Sequence, residues 1–283
     1  MKVLVIGDVM LDKFTECEPI RMSEEAPVLI VKENNSNYFL GGASNVAVGL
    51  SKLGIDVTLQ GCVGDDEAGK KIMELIKENS INARLRYTST PTTVKHRILA
   101  NGRQLIRIDT ERREIAEVIV LKEKWDCIIV SDYDKGVVSE KVMEQVLSQK
   151  TTVIVNGKPK NISLYESVDI LTFNKKEYEE CLDSGTTTGE HLCGRHNIKT
   201  LIVTLGKEGI CAYTEKKKIC IPGITVPVED ITGAGDTVVA TLAWAMNRYN
   251  NIKKAIELAN RAGSIVVQKA KTSFVTLEEL GEK

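Results

Sequence analysis

The chain has 283 residues, 42% of them hydrophobic and 27% charged, with a formal net charge of -1 at pH 7. This length can bury one large core, and the balanced charge excludes the strongly basic face typical of nucleic-acid-binding proteins. No apolar run reaches the roughly 18 residues of a membrane span, and a charged turn at Asp8 ends the first one, so we expect no signal peptide and one cytoplasmic domain, residues 1–283.

Apolar runs of strand length alternate with helical patterns along most of the chain. The runs lie at 2–6, 57–61, 127–131, 153–156, 170–172 and 201–204. Helical patterns lie at 43–53, 67–79, 139–149, 175–182, 234–247 and 252–270. This alternation predicts an α/β fold with a doubly wound, mostly parallel sheet flanked by helices, and with ligands at the carboxyl ends of its strands. A hairpin at 210–213 and 218–221 is expected at the sheet's edge.

Two stretches depart from this alternation. Strand-like segments at 26–33, 84–88, 93–100 and 104–109 follow one another without helical patterns. They predict a small β-sheet lid, formed by about 12–38 and 84–109, that would close over a substrate and exclude water. The alternative is an extra sheet with only a packing role, but these strands carry more polar and charged side chains than such a role needs.

Seven cysteines are present, an odd number without a C-x-x-C pair, so we expect reduced thiols rather than a disulfide scaffold. A zinc site is the alternative, because cysteine and histidine are zinc ligands. Its candidate ligands are Cys181, His191, Cys193 and His196. Their spacing fits no zinc template, and the segment is described more simply as a short helix.

A small-residue turn precedes the helical pattern at 234–247. Gly233, Ala234 and Gly235 permit a tight turn that leaves backbone N–H groups at the positive end of the helix, where phosphate binds well. At Gly235 we expect a backbone conformation that β-branched residues avoid. Asp236 lies where a hydroxyl attacking that phosphate would need a proton acceptor. The alternative is that Asp236 is only a first-turn carboxylate and the glycines a loop.

Two signatures carry a family resemblance. Asp-Ile-Thr-Gly-Ala-Gly-Asp at 230–236 resembles the carboxy-terminal signature of the ribokinase-like (PfkB) carbohydrate kinases. Gly-Gly-Ala-Ser-Asn-Val-Ala at 41–47 is similar to their amino-terminal signature, and the resemblance extends over nearly the whole chain. It implies an ATP-dependent sugar kinase in which Asp236 is the catalytic base and the three residues before it form an anion hole for the transferred phosphoryl.

The resemblance also implies where the ligands bind. Substrate contacts are expected at Asp12, Gly41, Gly42 and Asn45. Because a substrate that already carries a phosphate needs cations, Lys95, Arg97, Arg107, Lys135 and Arg21 are further candidates, and the alternative for each is an ordinary surface charge. Nucleotide contacts are expected at Asn174, Glu177, Thr204, Gly206, Gly209 and Asn260. ATP and Mg²⁺ are the implied cofactors, with Glu177 linked to Mg²⁺ through water because this ion keeps several waters. Activation by a monovalent cation stays open, and for Asp12 the alternative is a helix or turn cap.

Four further segments resemble the kinases of ADP-heptose synthesis. They are Gly-Asp-Val-Met-Leu-Asp at 7–12, Arg-Met-Ser-Glu-Glu-Ala-Pro-Val at 21–28, Leu-Ile-Arg-Ile-Asp at 105–109 and Ser-Asp-Tyr-Asp-Lys-Gly at 131–136. Those enzymes phosphorylate the anomeric hydroxyl of D-glycero-β-D-manno-heptose 7-phosphate, and the predicted cations suit a phosphorylated substrate. Val-Asn-Gly-Lys-Pro-Lys at 155–160 departs from the Asp-Pro-Lys expected in this branch.

Alternative functions stay open from the sequence. One is a ribokinase-, fructokinase- or nucleoside-kinase-type enzyme acting on an unphosphorylated substrate. Another is a non-catalytic sugar-binding homologue, against which the intact Asp236 argues. No nucleotidyltransferase pattern follows, so we expect a monofunctional kinase. Its partners would be a sugar and ATP, with no nucleic acid or membrane, and a homodimer through the lid is open because some family members use it so.

Overall fold

The computed structural model describes residues 1–111, 113, 118–182 and 188–282. Its strands are β1 (Lys2–Gly7), β2 (Val9–Met22), β3 (Leu29–Gly42), β4 (Asp56–Gly64), β5 (Asn82–Thr88), β6 (Thr93–Ala100), β7 (Arg103–Thr110), β8 (Cys127–Ser131), β9 (Thr152–Asn156), β10 (Ile170–Asn174), β11 (Thr200–Thr204), β12 (Gly209–Thr214) and β13 (Lys217–Pro222). Its helices are α1 (Ala43–Lys52), α2 (Glu67–Glu78), α3 (Glu140–Leu147), α4 (Lys175–Leu182), α5 (Gly189–Arg195), α6 (Ala234–Tyr249) and α7 (Ile252–Val266).

The main sheet has nine strands in the order β13-β12-β11-β10-β9-β8-β1-β4-β5. All neighbours from β11 to β5 pair in parallel, and the β12–β13 hairpin pairs antiparallel at one edge. The central strands are apolar throughout because both faces of a parallel sheet are covered by helices. The predicted doubly wound α/β fold and its edge hairpin are therefore confirmed.

Two apolar clusters cover the two faces of this sheet. Successive side chains of β1 alternate between them: Val3 and Val5 belong to one cluster, and Leu4 and Ile6 to the other. The first cluster includes residues of α1, α2, α6 and α7, and the second includes residues of α3, α4 and α5. This packing holds the helix starts at fixed positions along the sheet's edge. Within the described residues, no helix is long and apolar enough to span a membrane.

A second sheet has four strands in the order β3-β2-β6-β7, with β2 and β6 parallel and the other pairs antiparallel. The expected lid strand at 84–88 is wrong, because β5 pairs in parallel with β4 at the edge of the main sheet. Ala83 and Leu85 pack against the core, and α2 makes β4–α2–β5 an ordinary crossover unit. The long strand β2, which the sequence pattern did not reveal, takes its place.

The expectation of seven reduced thiols is wrong for one pair. Cys211 and Cys220 lie opposite each other on β12 and β13 and form a disulfide. Alternation predicted both strands but not their register, which brings the two Cα atoms to 4.1 Å. The other five cysteines keep their thiols outside any disulfide. Among the described residues, no group of three His, Cys, Asp or Glu side chains could hold a metal ion, so the zinc alternative gains no support.

Candidate active site

Polar residues gather at the carboxyl ends of neighbouring strands of the main sheet. Asp8 follows β1, Tyr133 comes two residues after β8, and Lys158 comes two residues after β9. Asn174 and Thr204 are the last residues of β10 and β11, and they lie opposite each other in the register. The crevice at this edge is where open α/β sheets bind ligands.

Asp236 lies in the first turn of α6 and is 6% exposed. Its Oδ1 accepts a hydrogen bond from the Tyr133 hydroxyl at 2.6 Å, and its Oδ2 accepts one from Asn45 Nδ2 at 2.8 Å. Asn45 is the third residue of α1, the helix that begins immediately after the glycine pair at the end of β3. The two predicted signatures therefore meet at one carboxylate.

Burial raises the pKa of Asp236 from 3.8 to about 6. The hydrogen bonds from Tyr133 and Asn45 and the nearby Lys95 ammonium favour the ionised form and hold this pKa down, whereas Asp12 raises it. A carboxylate with this pKa is ionised at neutral pH and is a stronger base than an exposed aspartate. It suits proton abstraction from an alcohol.

The pH dependence of turnover follows from this pKa. Protonated Asp236 cannot accept a proton, so we expect kcat/KM to fall as the pH decreases through about 6 and to be retained above it. An exposed aspartate would place this decline about two units lower, near its reference pKa. A pH profile of ADP release checks this, and a flat profile between those two pH values would contradict a raised pKa at the essential base.

The turn before α6 is built by Gly233, whose φ of +79° is left-handed. A Cβ there would come within 2.7 Å of Asn45 Nδ2, whereas a Cβ on Gly235 would meet no atom within 4 Å. The expected strained conformation at Gly235 is therefore wrong, because that residue is helical. The amide of Ala234 donates to the Ile231 carbonyl at 3.2 Å. The next two amides, of Gly235 and Asp236, belong to the first turn of α6, where backbone N–H groups have no partner within the helix. The space beside Gly235 is open, because a Cβ there would meet no atom within 4 Å.

The glycine pair at 41–42 makes room for the substrate side. Asp12 is buried in β2 and pairs with Arg97 of β6 at 2.5 Å, so it is not a helix or turn cap. A Cβ on Gly41 would lie 2.5 Å from Asp12 Oδ2. Gly42, with φ of +59°, is the N-cap residue of α1, and a Cβ there would lie 2.4 Å from the Asp8 carbonyl oxygen. Both positions therefore require glycine.

The predicted cations lie at different depths. Lys95 Nζ lies 5.2 Å from the centre of the Tyr133 ring, and burial lowers the pKa of this lysine. The side chain of Arg97 is 12% exposed and pairs with Asp12. Arg107 lies opposite Arg97 in the register, is largely exposed and pairs with Asp109 at 2.8 Å. Lys135 pairs with Glu111 at 2.7 Å. Lys95 and Arg97 thus lie beside the carboxylates, with Arg107 and Lys135 further out.

Asn174 and Glu177 bind each other at the start of α4. Glu177 Oε2 accepts from the Asn174 amide at 2.9 Å, and Asn174 Oδ1 accepts from the Glu177 amide at 2.9 Å. Glu177 Oε1 also pairs with Lys158. Glu177 therefore joins the ends of β9 and β10, because its two partners are Lys158, which follows β9, and Asn174, which ends β10.

The other predicted nucleotide residues surround the hairpin. Gly206 has a left-handed φ of +58° in the turn after Thr204. A Cβ on Gly209, whose φ is +107°, would lie 2.1 Å from the Ile221 carbonyl oxygen. Asn260 of α7 donates to the Pro222 carbonyl at 2.9 Å and so binds β13. Gly206 and Gly209 thus follow the carboxyl end of β11, and Asn260 holds the end of β13 beside Gly209.

Three residues of the site received no role from the sequence: Asp8, Tyr133 and Lys158. Asp8 accepts hydrogen bonds from the backbone amides of Tyr133, Lys135 and Val137 at 2.8, 3.0 and 3.1 Å. Burial raises the pKa of Asp8 to about 6. Each of the three follows a buried strand by one or two residues, so the rule that ligands bind at carboxyl ends would have identified them.

Solved structures share this fold. A ribokinase from Thermotoga maritima superposes with a TM-score of 0.80 at 21% identity, over 99% of this chain and 97% of that chain. Phosphofructokinase-2 from Escherichia coli superposes with a TM-score of 0.78 at 16% identity, over 99% of this chain and 97% of that chain. The chain thus has the fold of ribokinase-like kinases.

Residues 1–279 match the pfkB family of carbohydrate kinases, and the chain belongs to this family. It is therefore a carbohydrate kinase, for which the family implies ATP, a divalent metal and a small-molecule substrate. The bifunctional protein HldE of Campylobacter jejuni is 37% identical, over 99% of this chain and 64% of that protein. HldE of Hydrogenovibrio crunogenus is 35% identical, over 100% of this chain and 62% of that protein. The chain thus spans less than two thirds of these relatives' length.

Proposed function

We propose that the protein transfers the γ-phosphoryl group of Mg-ATP to the anomeric hydroxyl of D-glycero-β-D-manno-heptose 7-phosphate. The observation that supports a phosphorylated sugar most directly is the cationic strip on β6 and β7. Lys95 and Arg97 lie beside the carboxylates, and Arg107 extends the strip outward. One of the segments that resemble the kinases of ADP-heptose synthesis, 105–109, includes Arg107 of this strip, and the similarity to HldE adds support.

Asp236 acts as the general base in this proposal. It accepts the proton of the attacking hydroxyl while Asn45 and Tyr133 hold its carboxylate in place. The amides of Gly235 and Asp236 face the transferring phosphoryl at the positive end of α6. Lys158, between Tyr133 and Glu177, offsets charge that spreads onto the phosphoryl oxygens.

The carboxylate of Glu177 fits a magnesium ion linked through water. Both of its oxygens already have partners, Lys158 and the Asn174 amide, so it is not free for direct coordination. No larger cluster of acidic side chains is placed for a metal among the described residues, which suits an ion held mainly by phosphates and water. Bound there, Mg²⁺ would neutralise phosphate charge and help align the transferred group.

We also propose that residues 1–283 form one domain, with the sheet of β2, β3, β6 and β7 as its lid. Three apolar side chains of β7, Leu105, Ile106 and Ile108, are 45–52% exposed, which suits cover by a second copy. Sedimentation equilibrium would separate this homodimer from a monomer.

Phosphofructokinase-2 of Escherichia coli has been solved with potassium, so assays with potassium and with sodium would test for a monovalent cation here.

A substrate panel tests the proposed function. Purified protein with Mg-ATP would be given heptose 7-phosphate, ribose, fructose, fructose 6-phosphate and adenosine, and ADP release measured. We expect both sugar phosphates to be turned over better than the neutral compounds, because only a phosphorylated sugar engages the cationic strip, and we expect the highest kcat/KM with heptose 7-phosphate. Faster turnover of ribose, fructose, fructose 6-phosphate or adenosine would overturn the heptose assignment and leave the family-level activity.

The same panel can locate the phosphate contact. Arg107→Gln should raise KM for heptose 7-phosphate, with an effect that shrinks as salt is added, because the contact is largely electrostatic. Lys135→Gln should act in the same direction, and neither change should alter KM for a neutral sugar. Arg103→Gln, an exposed arginine at the start of β7, is the matched control. Equal changes in KM for all three variants would place the phosphate elsewhere.

A further inference from the structure

The side chain of Tyr133 lies at the centre of the crevice. Its hydroxyl donates to Asp236 Oδ1 at 2.6 Å, across 103 residues of sequence. Burial is the main cause that raises the Tyr133 pKa well above 10, and the Asp236 charge adds to it. The phenol therefore stays protonated at neutral pH, and it donates to the carboxylate.

The backbone of Tyr133 is fixed to the first strand. The Asp8 carboxylate accepts hydrogen bonds from the Tyr133 amide and from two later amides of the same loop. The Asp8 amide in turn donates to the Ser131 carbonyl at 3.1 Å. β1 and β8 can approach this closely because residue 7 is glycine, where a Cβ would lie 2.0 Å from the Ser131 carbonyl oxygen. The loop thus has little freedom to move the tyrosine.

The ring of Tyr133 is held by two cations. Lys95 Nζ, from β6, and Lys158 Nζ, from the loop after β9, each lie 5.2 Å from its centre. Cations at this distance are attracted by an aromatic ring. Since Lys158 also pairs with Glu177, the tyrosine touches groups of both the substrate side and the nucleotide side.

We propose that Tyr133 is a positioning residue for the base: its hydroxyl, fixed by Asp8 and the two lysines, orients the Asp236 carboxylate toward the attacking hydroxyl and favours its ionised form. This inference rests on the proposed role of Asp236. The other groups that face Asp236 are Asn45 from α1, Asp12 from β2 and Lys95 from β6. Of these, only Asn45 also donates a hydrogen bond to the carboxylate, and it binds the other oxygen.

Tyr133→Phe tests the proposal through the pH profile. Removing one donor to the ionised form should move the acidic decline of kcat/KM upward by about one pH unit. The kcat on the alkaline plateau should fall about tenfold because the carboxylate loses its orientation, with KM for ATP nearly unchanged. Tyr249→Phe is the control, since it removes a phenol bond to Glu282 at the opposite end of α6. It should change neither quantity, and thermal unfolding checks that both variants fold.

A double variant separates this inference from the role of the base. If Tyr133 acts through Asp236, adding Tyr133→Phe to Asp236→Asn should change the residual rate by less than about twofold. An acidic decline that stays in place in Tyr133→Phe, or a full tenfold further loss in the double variant, would overturn the inference. Wild-type turnover by Asp236→Asn alone would instead overturn the proposed base, whatever Tyr133 does.

Discussion

Asp236→Asn is expected to lower kcat by about 10²–10⁴ while ATP affinity stays nearly unchanged, because the change removes the proton acceptor and little of the nucleotide site. Asparagine has almost the same shape and can keep one of the two hydrogen bonds that Asp236 receives from Asn45 and Tyr133. The loss should therefore appear in kcat rather than in folding. ADP release under saturating substrate and calorimetric titration with ATP measure the two quantities.

A nearby carboxylate provides the control for this experiment. Glu229→Gln changes an exposed acidic side chain seven residues earlier, and it should leave kcat unchanged. If Asp236→Asn kept more than half of the wild-type kcat, another group would have to take the proton and the assignment of the base would be wrong. If Glu229→Gln lost activity equally, the effect would reflect general charge loss near α6.

The fold was predictable where local patterns repeat. The buried strands from 2–6 to 201–204 and the helices α1, α2, α3 and α4 between them were recognised, because a parallel sheet covered on both faces leaves unbroken apolar runs. The edge strand β5 was misplaced because its alternating, half-exposed pattern is equally typical of a lid strand. Only the intervening helix α2 marks it as part of the main sheet.

Long-range pairing was the part that local patterns could not supply. The sequence placed Asn45 and Asp236 in separate signatures, and the family resemblance gave each a role, but their 2.8 Å contact depends on how α1 packs against α6. The Cys211–Cys220 disulfide depends likewise on hairpin register. Register and packing are tertiary properties, so composition and periodicity cannot determine them.

Lys158 shows what a departure from a family pattern can mean. The segment 155–160 lacks the aspartate expected before Pro-Lys, yet it keeps a lysine, at 158, that reaches the crevice. Its ammonium pairs with Glu177 and lies over the Tyr133 ring. A cation so placed lies between Tyr133, which donates to the proposed base, and Glu177, the proposed metal-linked carboxylate.

Lys158→Met should lower kcat by about 10²–10³, the loss typical when a fixed group that stabilises transition-state charge is removed. Methionine keeps much of the length and apolar volume of the lysine stem, so the change mainly removes charge. KM for ATP should rise less than kcat falls, because charge spreads over the phosphoryl oxygens mainly during transfer. Steady-state kinetics with varied ATP separates the two effects.

The control and the conservative variant decide what a loss would mean. Lys160→Met removes an exposed lysine two residues along, which pairs with Asp134 outside the contacts of Tyr133 and Glu177, and it should leave kcat unchanged. Lys158→Arg keeps the charge and should recover part of the rate. Glu177 keeps its bond from the Asn174 amide in every variant, so the start of α4 should stay folded, which thermal unfolding checks. A Lys158→Met enzyme with wild-type kcat would show that the ammonium only pairs with Glu177, and that charge neutralisation comes from the helix terminus and the metal alone.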